Sequence, residues 1–303
     1  MQNELAGGGV FAPSFASRPL GSTGLRVGPI ALGSSYGVGG ADLEHAFDRG
    51  SNFFLWGSRR RSGFRDGLKE IVKKNRQGAV IAIQSYTRVG MLMGPFVHQA
   101  LRQLGTDYVD MLGLAWWNDL PSHRILDAAL ELKAQGKVRH IMVSCHHRPS
   151  FEKFLRDPNY GAWMLRYNAA HTGAEKEVFP HLDANSAESD FRPGVLAFTA
   201  TRWGSLLDPR ATPVGEKTPR ASDCYRFALS NPHIDAVIAG PRDRAELDEA
   251  LASIERGPMS ADELAWMRRV GQSIRDRDTR GRTMSIIDRI SGLCRSSTKQ
   301  LSA

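Results

Sequence analysis

The sequence has few of the features that mark metal-binding, disulfide-stabilised or membrane-spanning proteins. Its three cysteines, Cys145, Cys224 and Cys294, form no CxxC pair, which argues against a zinc site or a disulfide framework and favours a reducing compartment. The longest run typical of a buried strand, Ala79–Ile83, is far too short to cross a bilayer. Residues 1–20 lack the basic start and apolar stretch of a secretory signal. We therefore expect a cytoplasmic protein with no bound metal and no membrane contact.

Motifs for dinucleotide binding by an open sheet and for nucleic-acid binding are also missing. The turn after the first predicted strand, Leu32–Gly39, fits the GxGxxG fingerprint poorly, which disfavours the doubly wound sheet that usually carries it. The net charge is +8, and its basic excess is concentrated in Ser58–Arg76 and Ile274–Ala303. Without an accompanying motif, this excess predicts a solvated helix face and a basic tail rather than a nucleic-acid site.

Short apolar segments alternate with helical patterns along the chain, which is typical of βαβ units in a parallel sheet. The predicted strands are Pro29–Leu32, Asn52–Trp56, Ala79–Ile83, Tyr108–Leu114, Val138–Val143, Ala162–Arg166, Gly194–Phe198 and Asp235–Ala239. The predicted helices are Asp42–Phe47, Arg65–Lys74, Phe96–Leu104, Arg124–Gln135, Ala174–His181, Asp223–Leu229 and Arg244–Ile254. The pattern predicts an α/β fold, a single (β/α)₈ TIM barrel, with a doubly wound sheet as the alternative.

The ends of the chain differ in composition from its centre. Residues 1–17 are rich in Gly and Ala and predict a loose N-terminal segment. The barrel should occupy residues 18–278 and include an extra C-terminal helix, because Ser260 and Glu263 have the spacing of a capping box. Residues 279–303 form a basic tail or a short amphipathic helix, and the sequence leaves both possibilities open.

Segments in consistent order resemble signatures of the aldo-keto reductase superfamily. They are Arg18–Arg26, Ile30–Ser34, Gly50–Phe54, Leu101–Asp110, Gly136–Ser144, Arg166–Asn168, Val237–Gly240 and Glu246–Glu249. The resemblance implies a (β/α)₈ barrel whose floor is plugged by an N-terminal β-hairpin. It also implies an oxidoreductase that passes a hydride from NADP(H) to a carbonyl group.

The four side chains that perform this chemistry in the family are absent. The positions of its Asp, Tyr, Lys and His are occupied by Leu55, Arg60, Gln84 and Ala115. Arginine does not give up its proton in proteins, so Arg60 cannot replace the tyrosine as an acid. The sequence therefore predicts a divergent member in which ordinary carbonyl reduction is crippled, and Tyr86 is the candidate for a displaced acid.

The resemblance also assigns positions to the cofactor NADP(H), and only some of these positions keep the family's residue type. Ser144 matches the residue that holds the nicotinamide amide, Phe198 the aromatic ring that stacks on it, and Thr199 a pyrophosphate contact. The full set of candidate cofactor residues is Ser144, Asn168, Phe198, Thr199, Arg202, Arg242, Arg244 and Glu249. Arg242 and Arg244 are candidates for gripping a 2′-phosphate.

The strand ends are rich in Arg and aromatic side chains, a composition typical of a pocket for a planar or anionic ligand. The candidate catalytic residues are Arg60, Gln84, Tyr86, Trp116, His146, Arg166 and Tyr167. We expect a small anionic substrate among Arg60, Arg166 and Arg202, bound by a monomer or homodimer. A non-redox lyase, dehydratase or isomerase and a catalytically silent ligand-binding barrel are the alternatives.

Overall fold

Eight parallel strands form a closed barrel, as the sequence predicts. The computed structural model describes residues 15–35, 37–57 and 62–277, without the side chains of 186–188. The strands of the chain are β1 (Arg18–Pro19), β2 (Arg26–Val27), β3 (Ile30–Gly33), β4 (Phe53–Trp56), β5 (Val80–Ser85), β6 (Val109–Leu114), β7 (Val138–Ser144), β8 (Tyr160–Arg166), β9 (Gly194–Phe198) and β10 (Ala236–Ala239). Strands β3 to β10 pair in chain order, and β10 closes the barrel against β3. The open doubly wound sheet is thereby excluded.

Helices follow the barrel strands and cover the outside of the barrel. They are α1 (Gly40–Asp48), α2 (Ser62–Asn75), α3 (Met93–Leu104), α4 (His123–Ala134), α5 (Ser150–Leu155), α6 (Ala174–Glu177), α7 (Phe179–Glu188), α8 (Ala221–Leu229), α9 (Arg244–Arg256) and α10 (residues 261–277). Short 3₁₀ turns lie at Gly90–Leu92 and Ser205–Leu207. Within these described ranges, no helix combines the length and apolar character needed to cross a membrane.

Two helical segments differ from the sequence-based prediction. The predicted helix Ala174–His181 is divided into α6 and α7 at Val178, whose φ of −131° is not helical. Pro180 lies in the first turn of α7, where its missing N–H costs nothing, but inside a continuous helix it would break the hydrogen-bond ladder. Helix α5 was not predicted, because six residues are too few to display a helical period.

The antiparallel pair β1–β2 closes one end of the barrel, as the family resemblance implies. Leu20 and Val27 are fully buried and join the cluster that fills the barrel interior. Phe15, which the sequence placed in a loose segment, is buried against the outer core. Residues 1–14 and the predicted tail 279–303 lie outside the described residues.

Alternating side chains of each strand separate the interior of the barrel from the layer beneath the helices. The interior cluster contains Leu55, Met142 and Met164, whereas Trp56 and Trp163 belong to the outer layer against the helices. Successive side chains along a strand point alternately into the barrel and out toward the helices. At the end of a strand, this alternation decides whether a side chain reaches the mouth of the barrel.

The capping box predicted for α10 is present, and the helix docks closely on the turn after β8. Ser260 Oγ accepts from the Glu263 N–H at 3.2 Å, and Glu263 Oε2 accepts from the Ser260 N–H at 2.9 Å. A Cβ at Gly271 would lie 2.1 Å from the Ala169 carbonyl oxygen. Only glycine therefore allows this approach without a backbone shift.

We expect Gly271→Ala to lower the free energy of unfolding by about 1–3 kcal/mol, because the added methyl overpacks a backbone contact. Gly94→Ala is the matched control, since Gly94 is also helical and a Cβ there would meet nothing within 4 Å. It should cost nothing and should add up to about 1 kcal/mol through helix propensity. Urea unfolding of both variants measures the difference, and equal midpoints would contradict the tight docking.

Candidate functional site

A cavity of about 400 Å³ opens at the carboxyl ends of the barrel strands, where barrels of this architecture place their active sites. Seven of the candidate site residues line it: Gln84, Tyr86, Trp116, Ser144, His146, Phe198 and Thr199. A wider groove of about 1490 Å³ runs along α3 and α4 on the outer surface. The groove holds none of the seven, so we take the cavity as the candidate site.

The positions of the family's catalytic residues carry no replacement chemistry of the same kind. Leu55 and Gln84 line the cavity, so both face the space where the reaction would occur. Ala115 is fully buried, and its N–H donates to the Ser85 carbonyl at 3.0 Å. Arg60 lies outside the described residues. The site thus offers an amide and an apolar surface where the family has charged groups.

Tyr86 and Trp116 form an aromatic pair at the rim of the cavity. Their rings meet edge to face with centroids 5.3 Å apart, and the Tyr86 hydroxyl donates to Gln84 Oε1 at 3.3 Å. Burial raises the pKa of Tyr86, so the phenol is protonated at neutral pH. Trp116 has a φ of 56° and remains 61% exposed. A strained backbone that presents a large apolar ring to solvent is typical of a ligand-binding rim.

His146 is kept neutral by burial and by the neighbouring Arg166. Burial, and then the charge of Arg166, lowers the pKa of His146, so the ring is neutral near pH 7. Arg166 Nη2 lies 3.2 Å from His146 Nδ1. Because a guanidinium only donates, Nδ1 must accept and the proton must lie on Nε2. His146 therefore presents an N–H donor, and its ring contacts Phe198 edge to face at 5.3 Å.

Arg166 and Tyr167 point in opposite directions, and only Arg166 reaches the mouth. The Tyr167 side chain is 1% exposed and lies in the outer core against Phe227. Its hydroxyl donates to Glu175 at 2.6 Å and accepts from Asn231. Burial and Glu175 raise its pKa. The expectation of Tyr167 as a catalytic group is therefore corrected: strand parity makes it a structural residue.

Among the cofactor candidates, Ser144, Phe198 and Thr199 line one cavity. The Thr199 hydroxyl oxygen is buried without a hydrogen-bond partner among the described residues, and the residue has a φ of 53°. Asn168 is fully buried behind them. Its Nδ2 donates to the Thr199 carbonyl at 2.8 Å and its Oδ1 accepts from the Ala170 N–H. Asn168 thus positions Thr199 and does not line the cavity.

The remaining cofactor candidates are engaged within the protein. Arg242 pairs with Glu246, and Arg244 Nε donates to Asp42 at 2.7 Å. Glu249 accepts from the Ser222 hydroxyl at 2.6 Å and pairs with Arg220. The pairs of Arg242 and Arg244 are solvent-exposed, and exposed pairs contribute little to stability. A ligand phosphate can therefore displace their carboxylates at low cost.

Arg202 is nearly buried and has a φ of 52°. Its N–H donates to the Thr199 carbonyl at 2.8 Å. Burial, and after it the charges of Arg202 and Arg148, lower the pKa of Arg166.

Arg148 is a neighbour of this site that sequence reasoning missed. It follows β7, and its guanidinium rests where a Cβ of Gly173 would be, 2.6 Å from the Cζ atom. No local pattern predicts a contact between loops 25 residues apart.

Among the described residues, no group of three or more His, Cys, Asp or Glu side chains is arranged to hold a metal.

Comparisons with known proteins agree with this geometry. The aldo/keto reductase family model matches residues 91–188. Norsolorinic acid reductase B of Aspergillus parasiticus is 24% identical over an alignment of 202 positions, and the match covers 52% of this chain and 51% of that protein. The chain thus spans about half the length of this curated relative.

Solved structures share the whole barrel. The holo form of aldo-keto reductase AKR11C1 from Bacillus halodurans has a TM-score of 0.72 at 18% identity, covering 86% of this chain and 99% of that one. An aldo-keto reductase from Klebsiella pneumoniae in complex with NADPH has a TM-score of 0.69 at 19% identity, covering 87% and 96%. The predicted resemblance to the aldo-keto reductase superfamily is thus confirmed, by the family model over about a third of the chain and by the fold over the whole barrel.

Proposed function

We propose that this protein is an NADP(H)-linked oxidoreductase with a rebuilt active site, which acts on an anionic or aromatic small molecule. The observation that carries the proposal is the convergence of Ser144, Phe198 and Thr199 on one cavity. The resemblance assigns these three residues to the nicotinamide amide, the stacking ring and the pyrophosphate. The aldo-keto reductase from Klebsiella pneumoniae, which is in complex with NADPH, supports the same cofactor.

The residues of the cavity fit such a cofactor. The buried Thr199 hydroxyl can donate to a phosphate oxygen, which would satisfy a group that otherwise lacks a partner in the described part of the chain. The Phe198 ring, which lines the cavity beside Ser144, offers a face for stacking. NADPH would supply a hydride, and the protein must supply orientation, exclusion of water and a proton.

Two groups of this chain are positioned to handle that proton. His146 Nδ1 accepts a hydrogen bond from Arg166, so the ring proton lies on Nε2. The Nε2–H can therefore donate a hydrogen bond to a substrate oxygen. The Tyr86 hydroxyl becomes the second donor when its single proton turns from Gln84 Oε1 to the substrate. The rings of Tyr86 and Trp116 give a planar substrate an edge of apolar contact. The same two donors would serve a non-redox lyase, dehydratase or isomerase.

Titration with NADPH and NADH, followed by nicotinamide fluorescence and thermal shift, tests the proposal. We expect both to bind and NADPH to bind about 10-fold more tightly, because a hydrogen bond to a charged group contributes about 1.5–3 kcal/mol. Arg242→Ala should reduce that preference. Arg49→Ala is the matched control, since Arg49 is also exposed and paired, with Glu255, but follows the end of α1 at the barrel floor.

Each outcome of this titration has a distinct meaning. Equal affinity for the two cofactors, unchanged by Arg242→Ala, would contradict the 2′-phosphate contact while leaving the oxidoreductase proposal intact. Binding of neither cofactor would overturn the oxidoreductase proposal and favour the non-redox or silent barrel.

A further inference from the structure

Positive charge is concentrated at one corner of the mouth, formed by the loops that follow β7, β8 and β9. Arg148 and His171 lie on the first two of these loops, and Arg166 ends β8 beside Phe198 of β9. Burial, followed by the guanidinium groups of Arg202, Arg166 and Arg148 among others, lowers the pKa of His171 to about 4. The imidazole is thus neutral at pH 7 while the arginines around it are charged.

Three buried nitrogen atoms at this corner lack a hydrogen-bond partner among the described residues. They are Arg148 Nε, Arg166 Nε and His171 Nδ1. Buried polar atoms in folded proteins nearly always have a partner, and an exception often marks an ion or ligand site. Two of the three are obligate donors, so the group that satisfies them must be an acceptor.

The corner is held in place by contacts that do not involve a ligand. Asn168 joins the turn that ends at His171 to the Thr199 carbonyl. Arg148 is fixed by an ion pair with Glu177 at 2.8 Å and by the space that Gly173 leaves. A site whose donors are fixed before binding loses little entropy when the ligand arrives.

Arg166 connects this corner to the cavity. One of its nitrogen atoms bonds to His146, and its guanidinium carbon lies 5.1 Å from the ring centroid of Trp203. Both His146 and Trp203 line the cavity. Neither His146 nor Trp203 carries a negative charge that could neutralise Arg166. In the described part of the chain, Arg166 also forms no ion pair with a carboxylate.

We propose that Arg148, Arg166 and His171 form a subsite for a doubly charged tetrahedral oxyanion, a phosphoryl or sulfuryl group of the substrate. The assignment of this group to the substrate rests on the proposed function, whereas the binding of the anion does not. Several positively charged guanidinium groups surround the neutral imidazole of His171, and Glu177 neutralises only that of Arg148. More than one positive charge therefore remains, and a dianion balances it better than a single carboxylate does. The positions expected to contact cofactor phosphates are Thr199 and the two arginines after β10, whereas Arg148 and His171 lie on other loops.

The test uses the full chain without cofactor and phenyl phosphate as the probe, measured by calorimetry and tryptophan fluorescence. We expect saturable binding that weakens at least 10-fold in Arg166→Met, which keeps much of the packing against Trp203 but removes the charge. Arg156→Met is the control, because Arg156 is exposed just after the end of α5 and paired with Glu152, and this variant should bind as the unaltered protein does. Benzoate should bind at least 10-fold more weakly than phenyl phosphate.

A second variant keeps the proposal open to refutation if Arg166→Met does not fold. Gly173→Ala places a methyl in the space of the Arg148 guanidinium, and it should weaken phenyl phosphate binding while circular dichroism stays unchanged. Unaltered binding in either folded variant, or no saturable binding by the unaltered protein, overturns the proposal. Competition between phenyl phosphate and NADPH, with both weakened equally by Arg166→Met, would assign the corner to the cofactor instead. Failure of NADPH to bind leaves the phenyl phosphate result unaffected, so the two proposals fail separately.

Discussion

Reduction of 4-nitrobenzaldehyde by NADPH should be about 10²–10⁴-fold slower with this protein than with a reductase that has a positioned acid, because that is the usual contribution of positioned acid–base catalysis. The structure strengthens the expectation drawn from the sequence. Leu55 and Gln84 face the cavity, and neither carries a charge that would lower the pKa of a neighbouring phenol. Burial instead raises the pKa of Tyr86, which makes it a poorer acid.

Stopped-flow absorbance of NADPH measures this rate, with Tyr86→Phe and His146→Gln as companion variants. A rate in the range of ordinary reductases that disappears in Tyr86→Phe would show that the acid has moved to Tyr86. A slow rate that neither variant changes is the expected result, since the aldehyde has no anionic group to place it against Arg166.

Replacement of Asp110 should cause a large loss of stability, about 3–5 kcal/mol for Asp110→Ala. Asp110 is 1% exposed and pairs with Arg76 at 2.8 Å and with Arg139 at 3.2 Å. Its carboxylate also accepts from the Ile81 N–H of β5 at 2.9 Å. Without this carboxylate, the mostly buried guanidinium of Arg76 loses its ion pair, and the Ile81 N–H loses its acceptor.

Urea unfolding of Asp110→Ala at pH 7 measures this loss. Asp119→Ala is the control, because Asp119 also pairs with a basic residue, Lys153, but is exposed; its midpoint should not change measurably. A small effect of Asp110→Ala would mean that Arg76 finds another acceptor after the carboxylate is removed.

The strands could be predicted from sequence because each is a short apolar run between polar loops. The bounds of Gly194–Phe198 agree with the prediction at both ends, and the other seven differ by at most two residues at an end. The parallel order follows from the alternation with helices. The break between α6 and α7 was harder to predict from the sequence, because it depends on the backbone angles of one residue, Val178.

The site could be predicted only in part, for a physical reason. Residues on strands, such as Gln84 and Ser144, reach the cavity because strand position and parity fix their direction. Residues on loops depend on contacts between distant segments. The place of Arg148 depends on Gly173, and the place of His171 on the hydrogen bonds of Asn168, and neither contact leaves a periodic signal in the sequence.

The plug at the barrel floor has a consequence for the order in which molecules leave the site. Leu20 and Val27 fill the interior at one end, so a ligand in the cavity enters and departs through the opposite end, at the rim where Trp116 and Trp203 lie. If two molecules share this cavity, the deeper one would be covered by the one nearer the rim. The outer molecule would then have to leave first, and its residence time would set how soon the inner one is exchanged.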